Sequence, residues 1–503
     1  MDALEAWGIS RLDRTPETIK PALLHSGVYV FLISFACLFY LCNGALLLGH
    51  YDLGWHLAAG DLIRERRAIP VQDPWAFTLG DKRWFNLSWL WDVIASVIYQ
   101  HAGFAGLVLF TVACGAVIVG YLTSICLRAG ASGIATCIAV FIACVLYPAF
   151  EAAPNMYLAA SPNTPTMLFA VMFTAECLRR TRWFLLPPAM VLWANLHGGF
   201  VIGFLIVGLF GAVALLRRDW ADVRTHALTG IGCALAILVN PLGWHIYAGV
   251  TATLGHFVQA NIGEWLSYYE NIRLPGSIPG MIVIAVFVAF ELRFGRATRV
   301  PLEARLLAWL FLLLGLYQFR YMAFFFLFSA LPLALHIDRL LSRDAPASKI
   351  QGALLAAGIM GACALPLTFV LVRPSLALPD MLTEQDGRYL ESHLAGARVL
   401  NHWNVGGYQI FRTHGTVPVF VDGRAATAYP DDLLRDYFKL VHMEIDEAAW
   451  DGVIAKYNID AVLWVRAHEQ LRRFLIDKRG WTEAYAGPFE SVYVRPGRDA
   501  GSR

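Results

Sequence analysis

The sequence predicts an α-helical polytopic membrane protein: a bundle of about eleven transmembrane helices followed by a C-terminal extracytoplasmic α/β domain. Three observations predict it. Of 503 residues, 57% are hydrophobic and 16% charged, too apolar for a soluble chain of this size. Apolar runs near the ~20 residues that cross a bilayer recur through most of the chain. Arginine clusters fall in alternate gaps between these runs, as they do in cytoplasmic connections. The formal net charge of +2 gives no reason to expect nucleic acid as a partner.

The N-terminus carries Asp2, Glu5 and a long polar lead with no small-residue cleavage pattern after the first apolar run, and reads as a retained cytoplasmic tail. Spans are expected at 25–48, 104–125, 131–150, 160–178, 183–196, 198–216, 226–246, 280–294, 304–318, 320–340 and 350–372. The clusters around Arg14, Arg128, Arg180, Arg217, Arg296 and Arg339 mark one side as cytoplasmic. The loops at 49–103 and 247–279, and everything after about 373, then lie on the other side. The N-terminus is then cytoplasmic and the C-terminal domain extracytoplasmic. Arg64, Arg66, Arg67, Lys82 and Arg83 make the first outer loop basic too, against this rule. The Trp-rich segment 86–101 reads as an interfacial amphipathic helix. Were it a twelfth span, every later loop would change sides.

All nine cysteines lie in apolar runs without CxxC spacing, which argues against disulfides and thiolate metal sites. After Pro374 and Pro379 the apolar runs shorten to strand length, at 398–400, 417–421, 461–465 and 491–494, and alternate with helical stretches at 431–442 and 468–479. The expected division is therefore 1–372 for the membrane domain and 373–503 for the α/β domain.

The first outer loop holds Asp52, His56, Asp61, Asp73 and Asp81 among several aromatics. Asp52 and His56 are four apart, one helical turn, so both side chains would share a face at the membrane surface. There a carboxylate can act as a base or a metal ligand; the alternative is a solvated interfacial loop. His197 precedes Gly198-Gly199 and is either a substrate contact or a structural histidine. Arg320 breaks the arginine pattern and either binds a lipid phosphate or snorkels to headgroups. In the last domain, Gly406-Gly407-Tyr408 and Asp422-Gly423-Arg424 each follow an expected strand, where turn chemistry competes with acceptor docking.

Asp52-Leu53-Gly54-Trp55-His56, Gly60, Ile69-Pro70, Asp73-Pro74, Phe77-Thr78, Gly80 and Trp84 together resemble the first outer loop of GT-C membrane glycosyltransferases. This superfamily includes oligosaccharyltransferase catalytic subunits, protein O-mannosyltransferases and aminoarabinose transferases. Trp193-Ala194-Asn195-Leu196-His197-Gly198-Gly199, Asn240-Pro241-Leu242-Gly243-Trp244, Glu264-Trp265 and the two C-terminal motifs resemble bacterial polytopic relatives of that group. The resemblance implies a GT-C-like bundle in a bacterial inner (plasma) membrane, with its C-terminal domain periplasmic or extracellular, and transfer of a sugar from a polyprenyl-phosphate-linked donor to a glycan, lipid or protein acceptor on the outer face. It implies Asp52 as general base or ligand to a divalent cation, Mg or Mn. Many members have two adjacent acids there, whereas Leu53 follows Asp52. Asp73 and Glu264 are then the candidates for the second carboxylate, Asp73 as the catalytic partner of Asp52 and Glu264 also as a metal ligand beside Asp52, with His56, His197, Glu264 and Arg320 as candidate substrate contacts. The rival functions are a transporter or flippase of a lipid-linked substrate, which needs charges near span midplanes, and a non-catalytic membrane assembly partner.

Overall fold

The computed structural model describes residues 28–29, 31–37, 39, 51–146, 158–253, 255–272, 277–341, 382–442 and 447–497. The membrane domain is helical: α1 (Leu53–Arg66), α2 (Trp89–Arg128), α3 (Gly133–Phe141), α4 (Asn163–Arg179), α5 (Leu186–Leu196), α6 (Val201–Leu216), α7 (Trp220–Ala236), α8 (Ser277–Phe294), α9 (Leu302–Tyr317) and α10 (Met322–Leu341). Trp89–Arg128, Gly198–Leu216 and Phe319–Leu341 are the described helices long and apolar enough to cross a bilayer by themselves. The others are shorter, so the structure does not reproduce a count of eleven; the run at 350–372 lies outside the described residues, as does much of 25–48.

The Trp-rich segment and the next span form one 40-residue helix. At 1.5 Å per residue it measures about 60 Å, twice the hydrocarbon thickness, so one limb must lie outside the apolar core. Gly103 breaks it, at φ 58° and ψ −156°, a conformation closed to residues with a Cβ. The limb before the break packs on α1: a Cβ on Gly60 would stand 2.0 Å from the Asp92 carbonyl oxygen. α7 begins six residues before its expected span because Asp219 caps it, accepting from the Asp222 backbone N–H. It ends before Pro241, which cannot continue the ladder.

Ion pairs gather the arginine-bearing connections at one end of the bundle. Arg180 meets Asp222 at 2.6 Å, Arg217 meets Glu303 at 2.6 Å and Arg305 meets Glu291 at 3.0 Å. The Ser132 N–H donates to Asp338 at 3.0 Å, bringing the 128–132 turn to the end of α10. The other connections meet at the opposite end: Trp89 Nε1 donates to Asn195 Oδ1 at 2.8 Å, Asn240 to the Ala194 carbonyl at 3.0 Å, and the Phe319 N–H to the Leu266 carbonyl at 2.8 Å.

The C-terminal domain joins this second end. It contains α11 (Glu384–Leu394), β1 (Val399–Asn401), α12 (Trp403–Arg412), α13 (Asp431–His442), α14 (Glu447–Tyr457), β2 (Ala461–Val465), β3 (Thr482–Ala486) and β4 (Glu490–Val494). The sheet order is β1-β2-β4-β3, with β1 parallel to β2 and the other pairs antiparallel. Every residue of β4 and all but the last of β2 are buried, which explains the unbroken apolar run of β2. The strand expected at 417–421 is reduced to bridges from Val419 to Val399 and Ala76, since Pro418 has no N–H to donate. The first loop thereby adds the sheet's outermost rung: the Phe77 N–H donates to the Val419 carbonyl, and the Val419 N–H to the Trp75 carbonyl. The helix expected at 468–479 is broken into 469–473 and a wider turn at 474–478.

Two glycines let α1 and α12 touch backbone to backbone. A Cβ on Gly54 would stand 2.5 Å from the Gly407 carbonyl oxygen. Gly54→Val should therefore push the domains apart and cost about 1–3 kcal/mol, seen as a lower midpoint in thermal unfolding; an unchanged midpoint would mean that this contact yields freely.

Candidate active site between the first loop and the C-terminal domain

Asp52 occupies the residue before α1, yet its side chain does not cap that helix. It is turned toward the C-terminal domain: a Cβ on Gly423 would stand 1.5 Å from Asp52 Oδ1. Only glycine at 423 leaves room for the carboxylate in this position. Asp52 is half-buried, a setting in which a carboxylate can reach both solvent and a bound ligand.

His56 lies one turn on but is 2% exposed. Its Nδ1 meets Asp92 Oδ1 at 2.5 Å, and Asn86 Nδ2 donates to Asp92 Oδ2 at 2.7 Å. The Trp55 ring covers it at 3.6 Å between centroids. Asp92 is wholly buried, so this pair costs desolvation and is tenable only because both carboxylate oxygens are engaged. His56 is thus a wall of the site, fixed from behind, rather than an exposed contact.

Asp422-Gly423-Arg424 carries the other wall. Arg424 Nε donates to Asp422 Oδ1 at 2.8 Å and Nη2 to Asp422 Oδ2 at 2.6 Å. Nη1 donates to Asp73 of the first loop, and Tyr429 donates to Asp422 Oδ2 at 2.8 Å. The guanidinium sits about 5 Å from the ring centres of Trp75 and Trp84, the geometry of cation–π attraction. Burial alone would lower the Arg424 pKa, but Asp422 and Asp73 together hold it well above the usual arginine range. Burial, then Asp422, push Tyr429 up as well. Asp73, expected as a second catalytic carboxylate, is fully buried in this pair and accepts from the Ala76 N–H at 2.8 Å. It joins the first loop to the C-terminal domain.

The remaining candidates sit in the loops at this end of the bundle. Arg320 lies over Trp265 at 4.0 Å and 3.7 Å from Glu264, so two residues singled out separately form one unit. His197 Nδ1 meets Thr166 Oγ1 at 2.8 Å, and Trp193 Nε1 donates to the same hydroxyl at 3.0 Å. Nearby, Trp89, Leu192, Asn195, Val239 and Asn240 help to line an open groove of about 540 Å³. Among the described residues no three His, Cys, Asp or Glu side chains come together, and Glu264 faces Arg320. A cation carried in on phosphate oxygens could use Asp52 as its protein carboxylate, a common mode for Mg²⁺.

His402 supplies a pH dependence. Its Nδ1 caps α12 by accepting from the Asn404 N–H at 3.2 Å, which requires the unprotonated nitrogen. Burial, with His468 nearby, lowers its pKa to about 4. Because the folded value lies below the unfolded ~6.5, its contribution is complete above pH ~6.5 and is lost as pH falls toward 4, roughly 3 kcal/mol in all. Thermal unfolding at pH 7 and 4.5 should show His402→Asn, a cap that does not titrate, losing less on acidification than the wild type; an equal loss would contradict this assignment.

No protein-family model matches the sequence, and no curated protein matches it. Solved structures do. The archaeal oligosaccharyltransferase AglB from Archaeoglobus fulgidus, in complex with an inhibitory peptide and a dolichol-phosphate, matches at TM-score 0.56 and 12% identity over 88% of this chain and 70% of its own. The same organism's oligosaccharyltransferase with Zn and sulfate matches at 0.52 and 13% over 93% and 73%. ArnT from Cupriavidus metallidurans in the apo state matches at 0.54 and 12% over 93% and 98%. At such identity the likeness is one of fold alone.

Proposed function

We propose that the protein transfers a sugar from a polyprenyl-phosphate-linked donor to an acceptor at the end of the bundle that carries the C-terminal domain, with Asp52 at the reacting centre. One observation carries this reading: the Asp52 carboxylate, half-buried and turned from its own helix, lies against Gly423 where the two domains meet. The fold shared with lipid-linked-donor glycosyltransferases supports it.

In the reaction the acceptor's nucleophilic oxygen or nitrogen attacks the anomeric carbon, and the bond from that carbon to the phosphate oxygen breaks. Asp52 takes the acceptor's proton, and the polyprenyl phosphate leaves with the electron pair. Arg320, held on Trp265 and only loosely paired with Glu264, offers N–H donors to that phosphate. The groove along Leu192 and Val239 suits the isoprenoid chain. The ring of His56 with Asp92 keeps the first turn of α1 in place; Asp73 serves in docking. By the positive-inside rule we assign the arginine end to the cytoplasm of a bacterium and the C-terminal domain to the periplasmic or extracellular side.

The distribution of buried acids disfavours a transporter. Glu176, Glu291 and Glu303 are paired with arginines at one end and Asp92 with His56 at the other, rather than facing a midplane cavity. Mass spectrometry of surface glycans and lipid-linked sugar pools in a deletion strain tests the proposal. A donor pool that accumulates while one glycan loses its sugar, restored by the wild-type gene, is expected; unchanged glycans and pools would refute it.

A further inference from the structure

At the arginine end, the connections on either side of α5 and α6 expose an unusual surface. The turn Trp183–Leu185 has all three side chains out, Phe184 at 56%, and Leu216 and Trp220 are 77% and 66% exposed across from it. The two connections are tied by Arg180, which meets Asp222. Glu303 neutralises Arg217. Arg182, Arg218 and Arg224 are exposed, and no carboxylate pairs with them among the described residues.

Arg224 is the informative one. Trp220, Arg224, Leu228, Ile231 and Leu235 recur at three- and four-residue spacing, so they lie on one face of α7. All five are exposed. The upper part of that stripe is purely apolar, as a lipid-facing surface is. Arg224 lies about 6 Å along the helix from Trp220, at headgroup depth if the apolar part lies in the hydrocarbon. A soluble protein partner would not explain why the patch continues into the apolar face of a bundle helix.

We propose that Arg182, Arg218 and Arg224 bind the phosphate headgroup of an anionic phospholipid in the leaflet at the arginine end, with its acyl chains along Leu228, Ile231 and Leu235 of α7 and its headgroup flanked by Trp220 and Phe184. This site is separate from Asp52 and independent of the transferase reading.

The test uses full-length protein reconstituted in nanodiscs of equimolar phosphatidylcholine and phosphatidylglycerol, then extracted gently, with retained lipid identified by native mass spectrometry. Phosphatidylglycerol should be enriched on the wild type. The triple variant Arg182→Gln/Arg218→Gln/Arg224→Gln should lose it by about a hundred-fold, from roughly five-fold per arginine. Arg473→Gln, in the C-terminal domain, should change nothing. Because the three arginines are exposed, the triple variant should elute and melt like the wild type. Equal retention by the triple variant would overturn the proposal. So would equal retention of phosphatidylcholine, or displacement of the lipid by millimolar inorganic phosphate, which would mark a site for free phosphate.

Discussion

Asp52→Asn should lower the turnover of sugar transfer by about 10²–10⁴-fold, the range for losing a positioned general base. Asparagine keeps the shape of the side chain, so the close fit to Gly423 survives, and α1 keeps its N-terminus because Asp52 does not cap it. Turnover should therefore fall far more than stability. Asp52→Glu keeps the charge but adds a methylene where a Cβ on Gly423 would already stand 1.5 Å away, so it should not restore activity. Gly423→Ala displaces the carboxylate from the other side and should lower kcat more than it raises KM. Full turnover in Asp52→Asn would remove Asp52 from the reaction.

Arg424→Met should be the most damaging single change to stability, at about 3–5 kcal/mol. It leaves the carboxylates of Asp73 and Asp422 buried at 0% exposure without their shared cation. Arg424→Lys should not rescue, because a point charge cannot reach both carboxylates as the guanidinium fork does. Arg424→Met combined with Asp73→Asn and Asp422→Asn should recover much of the loss, since removing a whole buried network costs less than stranding its members. Unfolding midpoints measure this, and limited proteolysis should find the 73–84 segment newly accessible in the single variant. A wild-type midpoint for Arg424→Met would mean that the domains are held by other contacts.

The helical bundle and the gathering of its arginine-bearing connections at one end were legible in the sequence, because both follow from local patterns of apolar runs and arginines. Asp52, Gly406-Gly407 and Asp422-Gly423-Arg424 were each visible as motifs. Their meeting was not: Asp73 and Arg424 are 351 residues apart, and no periodicity encodes which distant turns touch. Asp92 escaped notice because an acid near the start of an amphipathic helix ordinarily faces water and the helix dipole; the signal available was His56, which needs a partner if buried. Arg320 and Glu264 were read as separate contacts, though a cation stranded near the bilayer calls for an acid close by. The rung at Val419 was overestimated as a strand because the apolar run 417–421 outweighed Pro418.

The proposed chemistry at Asp52, on the side of the membrane that carries the C-terminal domain, is tested most directly in sealed proteoliposomes sorted for one orientation, with donor lipid in the bilayer and acceptor supplied to one side only. Sugar should reach acceptor presented on the C-terminal-domain side, and Asp52→Asn should abolish that transfer. Transfer to acceptor on the arginine side, or equal transfer by Asp52→Asn, would contradict the account.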